Sequence, residues 1–358
     1  MVNSLFSFLL EQENTKTYDL LVISHDGIDD VNETGPLLKK TASKMGIKSF
    51  LAETMGAYTD DVSGGKLFYS FKVDDKGVAY LPSSKDDLKY EEPFKISPDK
   101  TLIMMRGLHP MYGCESWRVM AKNLEYEGYK LINSVKCNDI CNDKWYNHKI
   151  FERKNIQTPN TVLIRHAEGA LDAAERLDNK FPMILKTSIG STGVGVMFVE
   201  SAKALVSIVQ LLYRENKYID ILLQEYIKTD YDVRVIVLKD RVMGAMKRPI
   251  VEGDFRSNVS QGSEPEIHEL TDLEKSASLK AAEAVGGDVV GVDFIPSKNR
   301  DKDSPYFIEV NSNPGLIGIE KTFSKQFSIT EEILKTCRKR NITAALNFQL
   351  RFSPMMLC

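Results

Sequence analysis

Short apolar runs recur along this chain, each bounded by turn residues and separated by stretches with helical spacing. Asp19 to Ser24, centred on Leu20-Leu21-Val22-Ile23, predicts a buried strand. Asp26-Gly27 turns it toward a helix from about Glu33 to Met45, and Lys48 to Leu51 predicts a second strand. Strand, helix and strand in that order make a parallel α/β unit. Residues from about Tyr58 to Asp99 are polar and rich in Lys, Asp and Ser, with one hairpin expected near Leu67 to Tyr80. They read as a peripheral insertion. Thr101 to Met105 returns to the core and delivers Arg106-Gly107 at its end. Ligands of open α/β sheets sit beyond the carboxyl ends of strands, so Arg106 is a candidate substrate contact, with a plain surface arginine as the equal alternative. A helix from Glu115 to Glu127 and a strand at Lys130 to Ile132 complete a first domain, residues 1–134.

The second half repeats the alternation with more strands. A new unit opens at Cys141-Asn142-Asp143-Lys144-Trp145, and helical spacing runs through Phe151. Strands are expected at Thr161–Ile164, Phe181–Lys186, Val196–Val199 and Tyr218–Ile227, with helices at about Ala167–Leu177 and Ala202–Leu212. Asp232 to Leu238 and Arg241 to Lys247 predict a hairpin around Lys239-Asp240, with Asp232 and Arg234 on one face. An amphipathic helix, Leu273 to Val285, follows. This second domain covers 135–322, and a terminal helix and tail are expected over 323–358.

The candidate chemistry concentrates in two strand-like runs, Val289–Ile295 and Tyr306–Val310, joined by a polar loop. Alternation puts Glu309 and Asn311 on one face. Asp301 is the midpoint between positions 293 and 309, so a hairpin folded there sets Asp293 opposite Glu309. Three oxygen-bearing side chains would then share one patch, a ligand set for a hard cation such as Mg²⁺. The bland reading is an exposed acidic hairpin. Against it, both acids are embedded in Val, Ile and Phe, where an unpaired charge is expensive. The patch is a metal-site candidate.

Upstream, the strand ending on Lys186 runs into Thr187-Ser188-Ile189-Gly190-Ser191-Thr192-Gly193-Val194-Gly195 and then into another strand. No Gly-Lys-Ser/Thr opens a helix here, and the glycines are not spaced as in a dinucleotide fingerprint. A plain turn is one reading. A flexible loop laid over phosphates, rich in backbone N–H groups and hydroxyls, is the other.

Composition narrows the class. The chain has 358 residues, 42% hydrophobic and 27% charged, which is ordinary for a globular protein with room for two or three domains. A net charge of −3 and a pI near 6.1 give no footprint for nucleic acid or an anionic membrane. Leu5 to Leu10 is apolar but too short to span a bilayer, so neither a membrane anchor nor a signal peptide is expected. Five scattered cysteines fit a reducing cytoplasm, and Cys137 and Cys141 read as ordinary thiols.

Taken in order, Leu223-Gln224-Glu225-Tyr226-Ile227, Glu252-Gly253-Asp254-Phe255-Arg256-Ser257-Asn258, Gly291-Val292-Asp293 and Glu309-Val310-Asn311-Ser312-Asn313-Pro314-Gly315-Leu316 resemble the ATP-grasp carboxylate–amine ligases of the RimK family. The resemblance runs from about Asn133 to Thr322 and is looser over the first domain. It implies an α/β chain of the α+β ATP-grasp kind: an N-terminal parallel α/β domain followed by a two-lobed ATP-grasp domain. It also implies that Asp293, Glu309 and Asn311 hold Mg²⁺ (two ions, with Mn²⁺ as a substitute), and that Lys144 and Lys186 meet the ATP phosphates. Gly190, Ser191 and Gly193 lie in the closing loop. Glu225 and Tyr226 match the adenine hinge, Asp232 the group near the ribose. Arg256, Ser257 and Asn258 match a loop at the nucleotide, with Arg256 as the catalytic group on the transferred phosphate.

Where family members commonly continue with Leu-His-Arg-Gly-Gly, this chain has Val259-Ser260-Gln261-Gly262-Ser263. An arginine and a histidine near the acceptor are therefore replaced, leaving Arg106, Arg248 and Gln261 as acceptor-binding candidates. The implied reaction is ATP-dependent amide formation through an acyl phosphate. Its expected partners are a protein or peptide carboxyl terminus, such as that of a small-subunit ribosomal protein, and an amino acid, glutamate first. A small-molecule amino-acid ligase and a non-catalytic nucleotide-binding regulator are the alternatives. A homo-oligomer is left open.

Overall fold

The computed structural model describes residues 17–24, 34–63, 65–70, 91–106, 115–190, 195–250 and 265–338. Contacts divide them into two compact units, one from the chain up to Ile132 together with residues from Thr330 on, the other running from Asn133 to Ile329.

The first unit is built on β1 (Leu20–Ser24), α1 (Thr34–Lys44), β2 (Ser49–Glu53), β3 (Tyr58–Val62), β4 (Gly65–Tyr69), β5 (Phe94–Ile96), β6 (Leu102–Met105), α2 (Glu115–Tyr126) and β7 (Lys130–Ile132). Its main sheet is parallel in the order β2-β1-β6-β7. Every residue of β1 and β6 is buried, which explains why these strands read as continuous apolar runs rather than alternating ones. The polar insertion holds a small antiparallel sheet, β3-β4-β5, with a hairpin over Tyr58 to Tyr69; most of the hairpin expected near Leu67 to Tyr80 lies outside the described residues. The edge strand β3 buries none of its residues, so it carries no hydrophobic signal to read. Phe68 and Phe94 anchor this sheet against Phe50 of β2, with ring centroids 6.4 and 4.8 Å apart.

The second unit opens with α3 (Val135–Asn142) and α4 (Lys144–Arg153), then β8 (Thr161–Ile164), α5 (Ala170–Glu175), β9 (Met183–Thr187), β10 (Val196–Val199), α6 (Ala202–Glu215) and β11 (Ile221–Glu225). It continues through β12 (Tyr231–Leu238), β13 (Arg241–Pro249), β14 (Glu266–Ile267), α7 (Asp272–Val285), β15 (Val289–Ile295), β16 (Tyr306–Asn311) and α8 (Ile317–Phe323). Helix α3 falls outside the sequence expectation. Ser134 caps it by accepting from the Cys137 N–H, and its buried Val135, Cys137 and Ile140 lie on the core side. Residues 329–338 are helical, and the rest of the expected terminal helix and tail lies outside the described residues.

Two antiparallel sheets organise this unit, β10-β9-β11-β8 and β14-β13-β12-β15-β16. Each has an apolar face and a polar one. In the first, Met183, Leu185, Ile221 and Leu223 pack with α5 and α6. In the second, Val233, Val235, Val237, Val290, Val292 and Val310 pack with α3, α4 and α7. Period-2 alternation leaves Lys186 and Gln224 on the opposite face of one sheet, and Asp232, Arg234, Asp293, Glu309 and Asn311 on that of the other. The mixed α+β architecture agrees with the sequence reading.

Candidate functional site

The acidic hairpin forms with Asp293 directly opposite Glu309, and Gly291 opposite Asn311. Beyond Asp293 the register shifts, so that Phe294 faces Phe307 and Ile308 is the extra residue. That bulge lets Phe307 and Val310 both turn into the core while Glu309 stays opposite Asp293, a common use of bulges near sites. Gly291 has a spatial reason to lack a side chain, since a Cβ there would stand 2.9 Å from the Pro314 Cβ.

Asp293 is buried, at 3% exposure, and closely paired. Arg234, its register partner on β12, grips it with a two-pronged bond, Nε to Oδ1 at 2.7 Å and Nη2 to Oδ2 at 2.5 Å. Arg248 adds a contact to Oδ2 at 3.1 Å and forks onto Asp232 at 2.7 and 2.6 Å. Burial alone would raise the Asp293 pKa; the two guanidiniums override it and hold the carboxyl well below its usual range. The same carboxylates raise Arg248, despite burial acting the other way. An ionised carboxylate has about four acceptor positions, and the arginines use three here, so one direction on Oδ1 is left for a cation. With Glu309 and the Asn311 carboxamide on the same face, the donor set is all hard oxygen and fits Mg²⁺.

On the other sheet Lys186 is buried and donates to Gln224 Oε1 at 2.9 Å, and Gln224 donates to Thr161 Oγ1 at 2.7 Å. Desolvation brings the Lys186 pKa down to about 8; Glu309 opposes the shift and Lys144 adds to it. Lys186 thus feels one group from the acidic hairpin and one from α4. Lys144 begins α4, after Asp143 as N-cap, and its Nζ donates to the Gly190 carbonyl at 2.5 Å. Its backbone N–H donates to Ser188 O at 2.9 Å, and Ser188 Oγ donates to Asp143 Oδ1 at 2.5 Å. The start of the Gly-rich loop is therefore tied to the N-terminus of α4, whose first N–H groups are taken by Ser188 O and the Asp143 carboxylate.

Glu225 ends β11, and its carboxylate accepts from the Asn160 side chain at 3.0 Å. Tyr226 stands edge-on to Phe198, centroids 5.1 Å apart. Arg248, an acceptor candidate, has Nε and Nη2 committed to Asp232 and Asp293, and Asp232, the ribose candidate, is buried in that pair. Arg106 follows β6 in the first unit, buried, with its N–H on Ile23 O. Ser191, Gly193, Arg256, Ser257, Asn258 and Gln261 lie outside the described residues. Sequence reasoning placed Arg234 on the right face without giving it a role, and it passed over Gln224. The usable signal for Arg234 was its spacing on a strand paired with Asp293.

Two antiparallel sheets, with Glu309 of one and Lys144 at the start of α4 both within electrostatic reach of Lys186 on the other, have the arrangement of the ATP-grasp ligases. Residues 141–336 match the RimK-like ATP-grasp domain, more than half of the chain, and the protein belongs to that family. A probable alpha-L-glutamate ligase of Haemophilus ducreyi is 34% identical over 219 residues, 59% of this chain and 68% of the relative. The D-alanine–D-alanine ligase of Bacillus anthracis, solved with ATP, has a TM-score of 0.61 at 17% identity, covering 93% of this chain and 100% of its own. The macrocyclase MdnC of Microcystis aeruginosa, solved with its precursor peptide MdnA, has a TM-score of 0.60 at 14% identity, covering 89% and 98%. This chain is an ATP-dependent carboxylate–amine ligase, forming an amide bond with ATP as the driving substrate. No helix among the described residues is long and apolar enough to cross a membrane.

Proposed function

We propose that the enzyme adds glutamate to the carboxyl terminus of a protein or peptide through an acyl phosphate. The observation that carries the chemistry is the convergence on Lys186, which senses both Lys144 and Glu309. The relatives named as glutamate ligases support glutamate as the amine. The likeness to a fold that holds a precursor peptide in another enzyme is compatible with a peptide acceptor.

A carboxylate is a poor acylating agent. Its oxygen attacks the γ-phosphorus, the bond to the β,γ-bridging oxygen breaks, and ADP leaves. The amine of glutamate then attacks the acyl carbon, phosphate departs, and the amine proton passes to solvent or a base. Lys144 and Lys186 would bind and orient the polyphosphate, and Arg256 would take up charge on the phosphoryl group in flight. Asp293, Glu309 and Asn311 would hold Mg²⁺, two ions in the reading we favour, and the metal when bound would neutralise phosphate charge. The loop that includes Gly190, Ser191 and Gly193 would exclude water from the acyl phosphate. Glu225 and Tyr226 would meet the adenine at the hinge, with Ser257 and Asn258 near the nucleotide.

The test incubates the enzyme with ATP, Mg²⁺ and single amino acids, with and without peptides ending in Glu-Glu. The expected result is ADP release that needs both glutamate and peptide, with a product heavier by whole glutamyl residues. ADP release with free amino acids alone, and no peptide adduct, would replace this reading with a small-molecule ligase.

A further inference from the structure

Two buried asparagines close the open end of the acidic hairpin, and no step described above uses them. Asn133 is the first described residue of the second unit. Its carboxamide oxygen accepts from the backbone N–H groups of Asp288 and Val289 at 2.7 and 2.9 Å. Its amide nitrogen donates to the carbonyls of Val289 and Ser312 at 2.7 and 2.6 Å. Two donors meet two acceptors on each side, so only one orientation of the amide works. Val289 begins β15 and Ser312 follows β16, so this one side chain clamps both ligand strands at the end where Asn311 sits.

Asn138, on α3 and fully buried, continues the chain of contacts. Its Nδ2 donates to the Asn133 carbonyl at 3.1 Å. Its Oδ1 accepts from Ser312 Oγ at 2.9 Å and from Asn313 Nδ2 at 3.0 Å. The Asn313 backbone N–H in turn donates to the Asn311 carboxamide oxygen at 2.8 Å. That oxygen is the neutral member of the candidate metal set. With one lone pair taken by Asn313, the direction of the other is fixed by where Asn313 stands, and Asn138 is one of the groups that hold Asn313.

We propose that Asn138, braced by Asn133, is a positioning residue that acts through Asn313 to aim the Asn311 oxygen at a nucleotide-bound divalent cation. This rests on the ligase reading of the hairpin and adds to it a residue on another element. Outer partners of metal ligands commonly tune affinity by about 10–100-fold.

The test is Mn²⁺ titration by electron paramagnetic resonance in the presence of a non-hydrolysable ATP analogue. Asn138→Ala is expected to weaken Mn²⁺ binding about tenfold, with analogue binding in the absence of metal changed by less than about twofold and unfolding still cooperative. The decisive arm is a double-mutant cycle. If Asn138 acts through Asn311, then on an Asn311→Ala background Asn138→Ala has no further effect on Mn²⁺. Should Asn138→Ala fail to fold, Asn313→Ala removes the tether from the turn itself and is expected to give the same loss. Unchanged Mn²⁺ affinity in the folded variants, or an equal loss with and without Asn311, overturns the proposal. Wild type that binds no Mn²⁺, or binds it equally well as Glu309→Gln, overturns the metal reading beneath it.

Discussion

Lys186 holds an ammonium inside a protein wall, and its pKa near 8 makes that cost measurable. In the unfolded chain the same group titrates near 10.5. Between those values the unfolded chain binds the extra proton, so this residue's contribution to stability rises with pH across that window. Nucleotide affinity should move the other way, falling as pH climbs through about 8 and the charge that attracts phosphate is lost. Lys186→Met is expected to weaken ATP binding tenfold or more by calorimetry and to flatten that pH profile. Its stability should stay within about 1 kcal/mol of wild type at pH 7, because removing a buried charge offsets leaving the Gln224 acceptor unpaired.

The two acidic ligand candidates should respond differently to substitution. Asp293 balances two guanidiniums, so Asp293→Ala strands buried positive charge and is expected to cost about 3–5 kcal/mol besides abolishing ADP formation. Glu309→Gln removes a charge from a less crowded neighbourhood and is expected to abolish Mg²⁺-dependent ADP formation with the urea midpoint nearly unchanged. Turnover near wild type in a folded Glu309→Gln would remove Glu309 from the metal set.

Among the elements, α7 and the loop between β15 and β16 are fastened by a small buried network. Thr271 and Glu274 form a reciprocal capping box. Glu274 also accepts from Arg300 at 2.8 Å on each oxygen, and lies 3.4 Å from His268 Nε2. Burial would raise the Glu274 pKa; the bonds from Arg300, His268 and Thr271 bring it down to about 2 instead. This contribution is complete above the unfolded value of 4.5 and is lost as pH falls toward 2. Glu274→Gln is expected to cost about 2–3 kcal/mol at pH 7 and little at pH 2.5, measured by urea unfolding at both pH values.

Legibility in the sequence followed the same physics. The hairpin was readable because its strands are apolar runs broken by strong turn residues; the Asp293–Glu309 pair was reached through a fold about Asp301, whereas the observed turn centres half a residue earlier and the Ile308 bulge makes up the difference. The Ile308 bulge was not, because an extra residue leaves no mark in composition. Helix α3 was missed because its polar Asn138 and Asn142 break the apolar spacing; Asn138 is spent on the turn after β16, which no local pattern reveals. The Arg234 and Arg248 pairs lie across strands and become visible only once register is known.

For the whole molecule, family membership fixes the reaction class, and the acceptor is the part that a loop substitution can test. On the sequence resemblance, Gln261 takes the place of an arginine common in the family, and a neutral amide would hold a carboxylate less strongly than a guanidinium fork. Gln261→Arg is expected to raise glutamate transfer onto peptides ending in Glu-Glu relative to peptides with amidated ends. Equal transfer by wild type and variant would show that this loop does not select the acceptor.

The arginine pairs on the acidic hairpin also set the order in which the enzyme fills. Among the described residues, Arg234 and Arg248 balance Asp232 and Asp293, and Lys186 lies within electrostatic reach of Glu309, so before any nucleotide arrives little uncompensated negative charge faces the site. A bare divalent ion gains little by approaching such a surface, whereas a polyphosphate is drawn in and brings the missing negative charge with it. The cation should therefore enter as a passenger on ATP, and initial rates should track the concentration of the metal–nucleotide complex rather than that of free metal.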